Sequence, residues 1–265
     1  MKARGTSPEG PTEGGRGTAG PDWQGYLARF HAEQAGITED VLEHAFDADG
    51  LTAYHWAAAP VPACSSVLDL ACGSAPMHAM LRARTYVGMD LSVAELGGAT
   101  ARRVPVVLAD ASRLPVVDGA VGVVVMSMAL MLVPLAATLA EVRRVLRPGG
   151  LFVATIPASQ PLPVADWLRY ARLCLALRHR GLSYPNDEQL ADPGPAFARA
   201  GLTLLSEEAR SFRCDVRTEH IAQRLLASLY LPDVHPDRMA AGRRVVRRWV
   251  GSQVTTPVRR FVATT

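Results

Sequence analysis

Three groups of residues in the first half of the chain have the types and spacing needed to hold a nucleoside cofactor. The first is the small-residue loop 71–75 (ACGSA), where a ligand can meet backbone amides without interference from side chains. The second is Asp90, 17 residues after Gly73 (90 less 73), where a carboxylate can accept hydrogen bonds from ribose hydroxyls. The third is Asp110, which can accept from an exocyclic amine while Ala111 offers a backbone amide. Together they predict a slot for an adenosine-bearing cofactor.

Each group also has an ordinary structural explanation. A glycine loop after a strand commonly serves only as a strand-to-helix connection, and an acidic residue at a strand end is commonly solvated or caps a helix. The order and spacing of the three groups within one βαβαβ unit favour the cofactor slot over these explanations.

The segments that would position these residues alternate between short apolar strands and helices. Strands are predicted at Ser66 to Leu70, Thr85 to Met89, Val104 to Leu108, Val121 to Ser127, Leu151 to Ile156, Leu202 to Phe212 and Pro257 to Thr264. Helices are predicted to begin near Asp22 and Thr38 and to cover Pro134 to Leu146, Val164 to His179, Asp187 to Ala200, Thr218 to Tyr230 and Pro236 to Val250. Nearly continuous apolar strands separated by helices indicate a parallel sheet covered on both faces, with ligands bound beyond the carboxyl ends of its strands.

Four segments between residues 67 and 157 carry a more specific signal through their order along the chain. They read VLDLACGSAP (67–76), YVGMDLS (86–92), VVLADASRLPVVDGAV (106–121) and SMALMLVPLAATLAEVRRVLRPGG (127–150). In this order they resemble the class I S-adenosylmethionine-dependent methyltransferases of the small-molecule type. The resemblance implies a doubly wound, Rossmann-like α/β fold with a seven-stranded sheet, an antiparallel last strand at Pro257 to Thr264, and helical lid insertions. It also implies S-adenosyl-L-methionine as cofactor.

The resemblance further implies which residues would touch that cofactor. They are Asp69, Ala71, Gly73, Ser74, Asp90, Leu91, Asp110, Ala111, Ser127 and Met128. Asp69 and Gly73 would hold the methionine part, Asp90 the ribose hydroxyls, and Asp110 with Ala111 the adenine edge.

The apolar partners of the cofactor follow from the same resemblance. Leu91 and Leu114 would sandwich the adenine ring, and Ser127 and Met128 would face the sulfonium and the acceptor. No metal ligand set is expected.

The sequence departs from the family pattern at positions that bear on binding and catalysis. Ala75 stands where a second glycine is commoner, and if that position needs a positive φ the alanine costs on the order of 1 kcal/mol. Gly122 replaces an aspartate found in many relatives, and Met131 and Leu132 stand where many have histidines. These changes remove a favoured candidate base and leave the cofactor slot.

A base is needed only when the acceptor must lose a proton before it is methylated. His31 and His55 are the catalytic candidates, because both lie in the leader that folds over the cofactor in relatives. For each of them a purely structural role is the competing interpretation.

Aromatic residues in the later helices suggest the character of the acceptor. Trp167, Tyr170, Tyr184 and Tyr230 lie in segments expected to cap the acceptor pocket, which favours an uncharged, hydrophobic small molecule. They could equally form the core of the added helices. The basic stretch RMAAGRRVVRRWV (238–250) is either a solvated helix face or a site for an acidic substrate or carrier protein.

The expected organisation is one domain behind an unstructured tail. Residues 1–20 are rich in Gly, Pro, Thr and charge and are expected to be disordered, and 21–265 form a single methyltransferase domain. Within it we expect an N-terminal helical lid at 21–62, a cofactor-binding half at 63–157, and a substrate-side half with helical insertions at 158–265.

Composition limits the partners. The formal net charge is only +3, which argues against a nucleic-acid partner. The cysteines form no C-x-x-C pair, and the longest apolar run is short for a membrane span, so the chain is expected to act in the cytoplasm without a membrane partner. A monomer or a homodimer is expected.

Two kinds of function are consistent with the sequence. One is an enzyme that methylates a small molecule, in secondary metabolism. The other is a non-methylating cofactor-binding protein or a cyclase on the same fold. A nicotinamide dehydrogenase is disfavoured because Gly73 stands alone where G-x-G-x-x-G is required.

Overall fold

The computed structural model describes residues 22–159 and 161–265, which form a sheet enclosed by helices. The expected tail at 1–20 lies outside these residues. The strands are β1 (Ala45–Phe46), β2 (Ser66–Leu70), β3 (Thr85–Asp90), β4 (Val106–Leu108), β5 (Val121–Ser127), β6 (Leu146–Pro157), β7 (Thr203–Val216) and β8 (Ser252–Thr264). The helices are α1 (Trp23–Glu33), α2 (Ile37–Glu43), α3 (Ala53–Ala58), α4 (Val93–Ala101), α5 (Leu135–Val145), α6 (Val164–Leu177), α7 (Asp187–Ala191), α8 (Gly194–Arg199), α9 (Glu219–Ala227) and α10 (Pro236–Val246).

The strand order is β1-β7-β8-β6-β5-β2-β3-β4. Strands β2 to β6 are parallel to their sheet neighbours in this group, and β8 runs antiparallel to both β6 and β7. The predicted doubly wound α/β fold with an antiparallel last strand is therefore confirmed. The sheet has one strand more than the seven predicted, because the two-residue strand β1 pairs with the edge of β7. Two residues are too few to give the alternation by which a strand is recognised in sequence.

Strand β2 lies at the point where the strand order reverses. The chain runs from β2 outward through β3 to β4, and then returns to place β5 on the other side of β2. In open α/β sheets this reversal leaves a crevice beyond the carboxyl ends of the two central strands. The loop 71–75 leaves β2 at this crevice.

Both faces of the central sheet are buried, as the continuous apolar strands predicted. Val67 packs into the core on one face, with residues of α6, α9 and α10, whereas Leu68 and Leu70 pack on the other face, with α5 and α8. Successive side chains of a strand point to opposite faces, so each face receives alternate residues of β2. The sheet is thereby fixed on both sides, and the loops at its carboxyl edge are held on a rigid support.

The helices agree with the sequence prediction at several ends. Asp22 caps α1, since its Oδ1 accepts a hydrogen bond of 3.0 Å from the backbone N–H of Gly25. The stretch predicted as helical at Asp187 to Ala200 is divided into α7 and α8, with the break at 192–193. Strand β6 begins at Leu146, before the predicted Leu151, because Leu146 already pairs with Val121 across an irregular register. None of the helices within 22–159 and 161–265 is both long and apolar enough to traverse a bilayer.

Candidate active site

Loop 71–75 after β2 is built from three residues in the left-handed region. Ala71, Gly73 and Ala75 have φ values of +51°, +55° and +61°. Ala75 therefore meets the condition under which an alanine is strained, by about 1 kcal/mol or more relative to glycine. It is 3% exposed, and its N–H donates to the carbonyl of Cys72 at 2.8 Å, so packing and hydrogen bonding hold it in place.

Asp90, at the end of β3, connects loop 71–75 to the loop that follows β3. Its Oδ2 accepts a hydrogen bond from the N–H of Gly73 at 2.8 Å, and its Oδ1 accepts from the N–H of Ser92 at 2.8 Å. Burial raises the pKa of the Asp90 carboxyl, while these two backbone bonds oppose that rise. Each carboxylate oxygen can accept a further hydrogen bond, so Asp90 remains able to receive hydroxyl donors. The Gly73 amide is committed to Asp90, and Gly73 would serve a ligand through its missing side chain.

A close approach of β2 and β3 supports the same corner. A Cβ atom on Gly88 would lie 2.7 Å from Sγ of Cys72, so any larger residue at position 88 would force Cys72 or the strand to shift. Cys72 is buried, and its N–H donates to the carbonyl of Met89 at 3.1 Å. The small residues of YVGMD and DLACG are thus explained by packing between the two strands.

Asp69 lies beneath the loop, away from where a ligand would first contact it. It is 2% exposed, and the hydroxyl of Tyr86 donates to its Oδ2 at 2.7 Å. Burial raises the pKa of Asp69 to about 7, in spite of the opposing hydrogen bond from Tyr86. A contact between Asp69 and a cofactor ammonium, either direct or through water, stays a prediction. The observed partner of Asp69 is Tyr86.

The third predicted strand end presents a more open carboxylate. Asp110 is exposed, and its Oδ1 accepts from the backbone N–H and the hydroxyl of Ser112, at 2.8 Å and 2.7 Å. Its neighbour Ala111 is partly buried. The hydrogen bonds of Asp110 recorded among the described residues involve Oδ1, which leaves Oδ2 as an acceptor beside that backbone amide.

The predicted apolar sandwich has one open side. Leu91 is 65% exposed directly after Asp90, which provides an apolar surface beside the carboxylate. Leu114 is 6% exposed and belongs to the core, and its N–H donates to Glu141. The side chain of Leu114 packs inside the protein, and its stacking on a ligand ring stays a prediction.

Ser127 and Met128 end β5 beside the crevice. The Oγ of Ser127 lies 3.1 Å from Oγ1 of Thr155 in the neighbouring strand β6. Met128 has a φ of +57° and packs against both core clusters, which places it between the two faces at the sheet edge. A left-handed backbone at a methionine is unusual and is typical of a constrained site.

Glu95 is a site residue that the sequence reasoning missed. Ser92 and Glu95 have the spacing of a capping box, in which the glutamate would reach back to the N–H of its own N-cap residue. Here Asp90 takes the Ser92 N–H, and Glu95 instead accepts from the N–H of Gly36 at 2.9 Å and lies 2.8 Å from Nδ1 of His31. Glu95 is 6% exposed, so these contacts join the N-terminal helices to the first turn of α4 in a buried position.

The two predicted catalytic histidines differ in their positions and contacts. His31 lies at the site, but its Nδ1 is engaged by Glu95. His55 is exposed on α3, and its Nδ1 lies 2.8 Å from the hydroxyl of Thr52, the residue that caps that helix. In this structure the His55 ring contacts the residue that caps α3, and a catalytic role for His55 stays a prediction. Ser74 also has a structural role: its carbonyl accepts from the Arg102 guanidinium, and the residue is buried.

An aromatic cluster covers the N-terminal side of the site. Tyr230 lies 4.7 Å from Phe30 and 6.3 Å from Tyr184, measured between ring centroids, and Trp23 and Tyr26 extend the cluster along α1. Burial raises the pKa values of Tyr184 and Tyr230. The rings predicted to cap an acceptor pocket are thus divided: Tyr184 and Tyr230 join this cluster, while Trp167 is 60% exposed and Tyr170 packs on Trp249.

The residues that remain fit an adenosyl cofactor. Asp90 and Asp110 supply acceptors for hydroxyl and amine donors, Leu91 supplies an apolar face, and Gly73 keeps the central loop free of a side chain. Ala111 and Ala71 add only methyl groups. These acceptors and this apolar surface match the ribose, the adenine edge and the adenine face of one nucleoside.

Comparison with known proteins shows what the residues around this site are similar to. Residues 68–154 match the family described as a methyltransferase domain. Over this segment the chain is similar to a methyltransferase domain. A demethylmenaquinone methyltransferase from Mycolicibacterium gilvum is 43% identical over 90 residues, which is 33% of this chain and 40% of that protein. A second such enzyme, from Mycolicibacterium paratuberculosis, is 43% identical over 90 residues. The match covers 33% of this chain and 39% of that protein. This chain therefore spans less than half the length of these curated relatives.

Solved structures extend the likeness of the methyltransferase domain over nearly the whole fold. The crystal structure of the (4+2)-cyclase SpnF has a TM-score of 0.59 and 17% identity, and the alignment covers 90% of this chain and 94% of that one. A SAM-dependent methyltransferase from Thermotoga maritima has a TM-score of 0.52 and 14% identity, with 89% and 98% coverage. At these identities the likeness establishes the fold, which is shared by a cyclase and a methyltransferase.

Proposed function

We propose that this protein binds S-adenosyl-L-methionine and transfers its methyl group to an uncharged, apolar small molecule. The single observation that carries the proposal is the bridge made by Asp90 between the loops after β2 and β3, through the N–H groups of Gly73 and Ser92. The bridge fixes a carboxylate next to an exposed leucine and a loop without side chains, which suits a nucleoside.

The cofactor, when bound, supplies an electrophilic methyl group on a good leaving group, so the protein mainly has to orient the acceptor and exclude water. Asp90 would accept from the ribose hydroxyls, and Leu91 would contact the adenine face. Asp110 and Ala111 would meet the adenine edge. Ser127 and Met128 would border the acceptor at the end of β5. The apolar side chains of the surrounding cluster support an acceptor without charge.

Calorimetric titration with S-adenosylmethionine tests the cofactor part of the proposal. Asp90→Ala should weaken binding by about 1 to 3 kcal/mol through the lost hydrogen bonds to a charged acceptor. Leu91→Ala should weaken it by about tenfold, since it removes apolar contact surface without touching the core. Asp233→Ala, at an exposed position outside the site, is the matched control. Unchanged affinity in both site variants would contradict the assignment.

A second candidate function is a non-methylating cofactor-binding protein or a cyclase. It is favoured by the histidines, because His31 is paired with Glu95 and His55 lies at a helix cap. The shared fold with a cyclase is compatible with it. Formation of S-adenosylhomocysteine only in the presence of an acceptor distinguishes the two, with demethylmenaquinone among the acceptors offered. Tight cofactor binding without turnover across a broad acceptor panel would favour the second function. We propose a role in secondary metabolism only together with the first function, methyl transfer to a small molecule.

A further inference from the structure

Helix α6 has an ordinary buried face. Leu173 and Leu177 are almost fully buried and pack against α10, where a Cβ on Gly242 would lie 2.7 Å from Cδ2 of Leu177. Asp166 is buried on the same side, where it binds Arg169 at 2.6 Å and the N–H of Thr255 at 3.2 Å. This face attaches the helix firmly to the rest of the domain.

The opposite face of α6 is also apolar, although it faces solvent. Val164, Leu168, Ala171 and Leu175 follow the spacing i, i+4, i+7 and i+11, which sets them along one line on the helix surface. Val164 is 76% exposed, Leu168 41% and Leu175 79%. Trp167, at 60% exposure, flanks this line. We call these five residues the apolar stripe. A helix at a protein surface normally carries polar residues on this face.

Arginines border the apolar stripe. Arg172 lies on the flank opposite Trp167, and together with Arg169 and Arg248 it lines a groove of about 590 Å³ that also contains Leu175 and Trp249. The acidic group of α6 is Asp166, which is buried and already bonded to Arg169. The exposed surface of the stripe and its groove is therefore apolar along the helix and positive along one edge, where Arg172 and Arg248 lie.

We propose that the apolar stripe and the arginines along its edge dock on the surface of an anionic phospholipid bilayer. Aliphatic side chains with a tryptophan at the edge enter the boundary between headgroups and acyl chains, while arginines bind the phosphates above it. Such a contact is peripheral and needs no membrane-spanning segment. It revises the sequence-based expectation that the protein has no membrane partner.

Other occupants fit this surface less well. A second copy of the chain on the same face would bring Arg172 and Arg248 against their equivalents, which is unfavourable. Residues 1–21 carry no large apolar side chain after Met1, so they offer nothing to cover the stripe. An acidic protein would satisfy the arginines, but the line of aliphatic side chains beside them offers it no hydrogen-bonding group.

The position of the helix gives the contact a consequence. Helix α6 follows β6, so its segment leaves the sheet at the carboxyl edge where β2 and β5 also end. Docking through α6 would bring that edge near the bilayer, which is where an apolar molecule is concentrated. The docking does not require methyl transfer, so the two proposals can fail separately.

Vesicle flotation tests the docking with the full chain. Vesicles of phosphatidylcholine alone are compared with vesicles of phosphatidylcholine and phosphatidylglycerol. We expect binding to the anionic vesicles, and we expect Leu175→Asp and Arg172→Glu each to reduce the bound fraction about fivefold or more. Val117→Asp and Arg84→Glu are the matched controls, because Val117 is 75% exposed and both residues lie outside α6 and its groove. These controls should bind like the wild type.

Tryptophan fluorescence gives an independent measurement. Anionic vesicles should shift the emission to shorter wavelength, and Trp167→Phe should abolish the shift although the other three of the four tryptophans remain. Absence of binding to anionic vesicles overturns the proposal, as does binding that survives Leu175→Asp or that the controls lose equally. Binding of polyglutamate through Arg172 without vesicle binding would assign the surface to an acidic protein. A dimer that Leu175→Asp dissociates, again without vesicle binding, would assign it to a second copy. Either result overturns the membrane assignment.

Discussion

Nδ1 of His31 lies 2.8 Å from Oε1 of Glu95, and this contact joins α1 to the first turn of α4. The other carboxylate oxygen of Glu95 accepts from the N–H of Gly36. Glu95 can make both contacts because Asp90 has taken the Ser92 N–H that a capping box would assign to it. The carboxylate that orders the cofactor loop thus also releases a second carboxylate to hold the N-terminal helices.

We predict that Glu95→Ala destabilises the protein by about 1 to 3 kcal/mol, since it leaves the Gly36 N–H without its buried acceptor. In a double-mutant cycle measured by urea unfolding, His31→Ala and Glu95→Ala should be coupled by about 1 kcal/mol. His44→Ala is the matched control, because the His44 side chain is 62% exposed, its Nδ1 lies 3.8 Å from the Asp40 carboxylate, and its 2.6 Å contact with the Asp40 carbonyl is open to solvent. It should change the free energy of unfolding by less than about 0.5 kcal/mol. Additive effects of His31 and Glu95 would show that the pair does not act as a unit.

Asp69 should make stability depend on pH. Burial raises its pKa to about 7 in the folded protein, so between about pH 4 and pH 7 the folded state holds a proton that the unfolded state has lost. The stability supplied by the protonated group is complete at low pH and is lost as the pH rises through about 7. Relative to wild type, Asp69→Asn should become more stable as the pH is raised from 5 to 8, by about 3 kcal/mol.

Thermal and urea unfolding at several pH values, with Asp233→Asn as an exposed control, measure this difference. A difference between wild type and Asp69→Asn that stays constant with pH would mean that Asp69 is ionised throughout. Tyr86→Phe removes the hydrogen bond to Asp69 and should move the pH-dependent step upward, since that bond lowers the pKa.

Replacing Ala75 with glycine should destabilise the protein less than the same replacement at an alanine in a helical conformation. Its φ of +61° costs about 1 to 2 kcal/mol as alanine, and Ala75→Gly releases that strain. The lost contact of a buried methyl group, about 0.8 kcal/mol, and the added freedom of the unfolded chain offset much of the gain. We expect a net change near zero. Ala137→Gly, on the exposed side of α5, makes the same chemical change in a helix and should cost about 1 kcal/mol. Equal losses in the two variants would contradict the strain at Ala75.

Gly88 should be sensitive to the smallest enlargement. Gly88→Ala would place a Cβ 2.7 Å from Sγ of Cys72, so we expect a loss of about 1 to 3 kcal/mol and weaker cofactor binding through displacement of the loop. Cys72→Ala in the same chain removes the sulfur and should recover part of both losses, which calorimetry and urea unfolding can measure. If the double variant is no better than the sum of the single ones, the steric contact is not the cause.

Part of the site could be predicted because it depends on local sequence. Asp90, Asp110 and the small-residue loop follow strands whose apolar runs are readable, and in parallel strands such ends meet at one edge. The motif did not show that Leu114 and Asp69, two residues suited to a ligand, are almost fully covered by the protein itself. Burial depends on neighbours distant in sequence, and a motif does not contain them.

The α/β class, the places of β2, β3 and β5 and the position of loop 71–75 could be predicted because they follow from the periodicity and type of consecutive residues. The antiparallel last strand was implied by the family resemblance. Three features could be learned from the folded structure alone: His31 and Gly36 converge on Glu95, the His55 ring contacts the residue that caps α3, and α6 leaves an apolar face in solvent. The apolar periodicity of α6 was visible, but each of its faces looked fit to be buried. Which face found a partner depended on the docking of α10, whose contact at Gly242 lies more than 60 residues away along the chain from Leu177 (242 less 177).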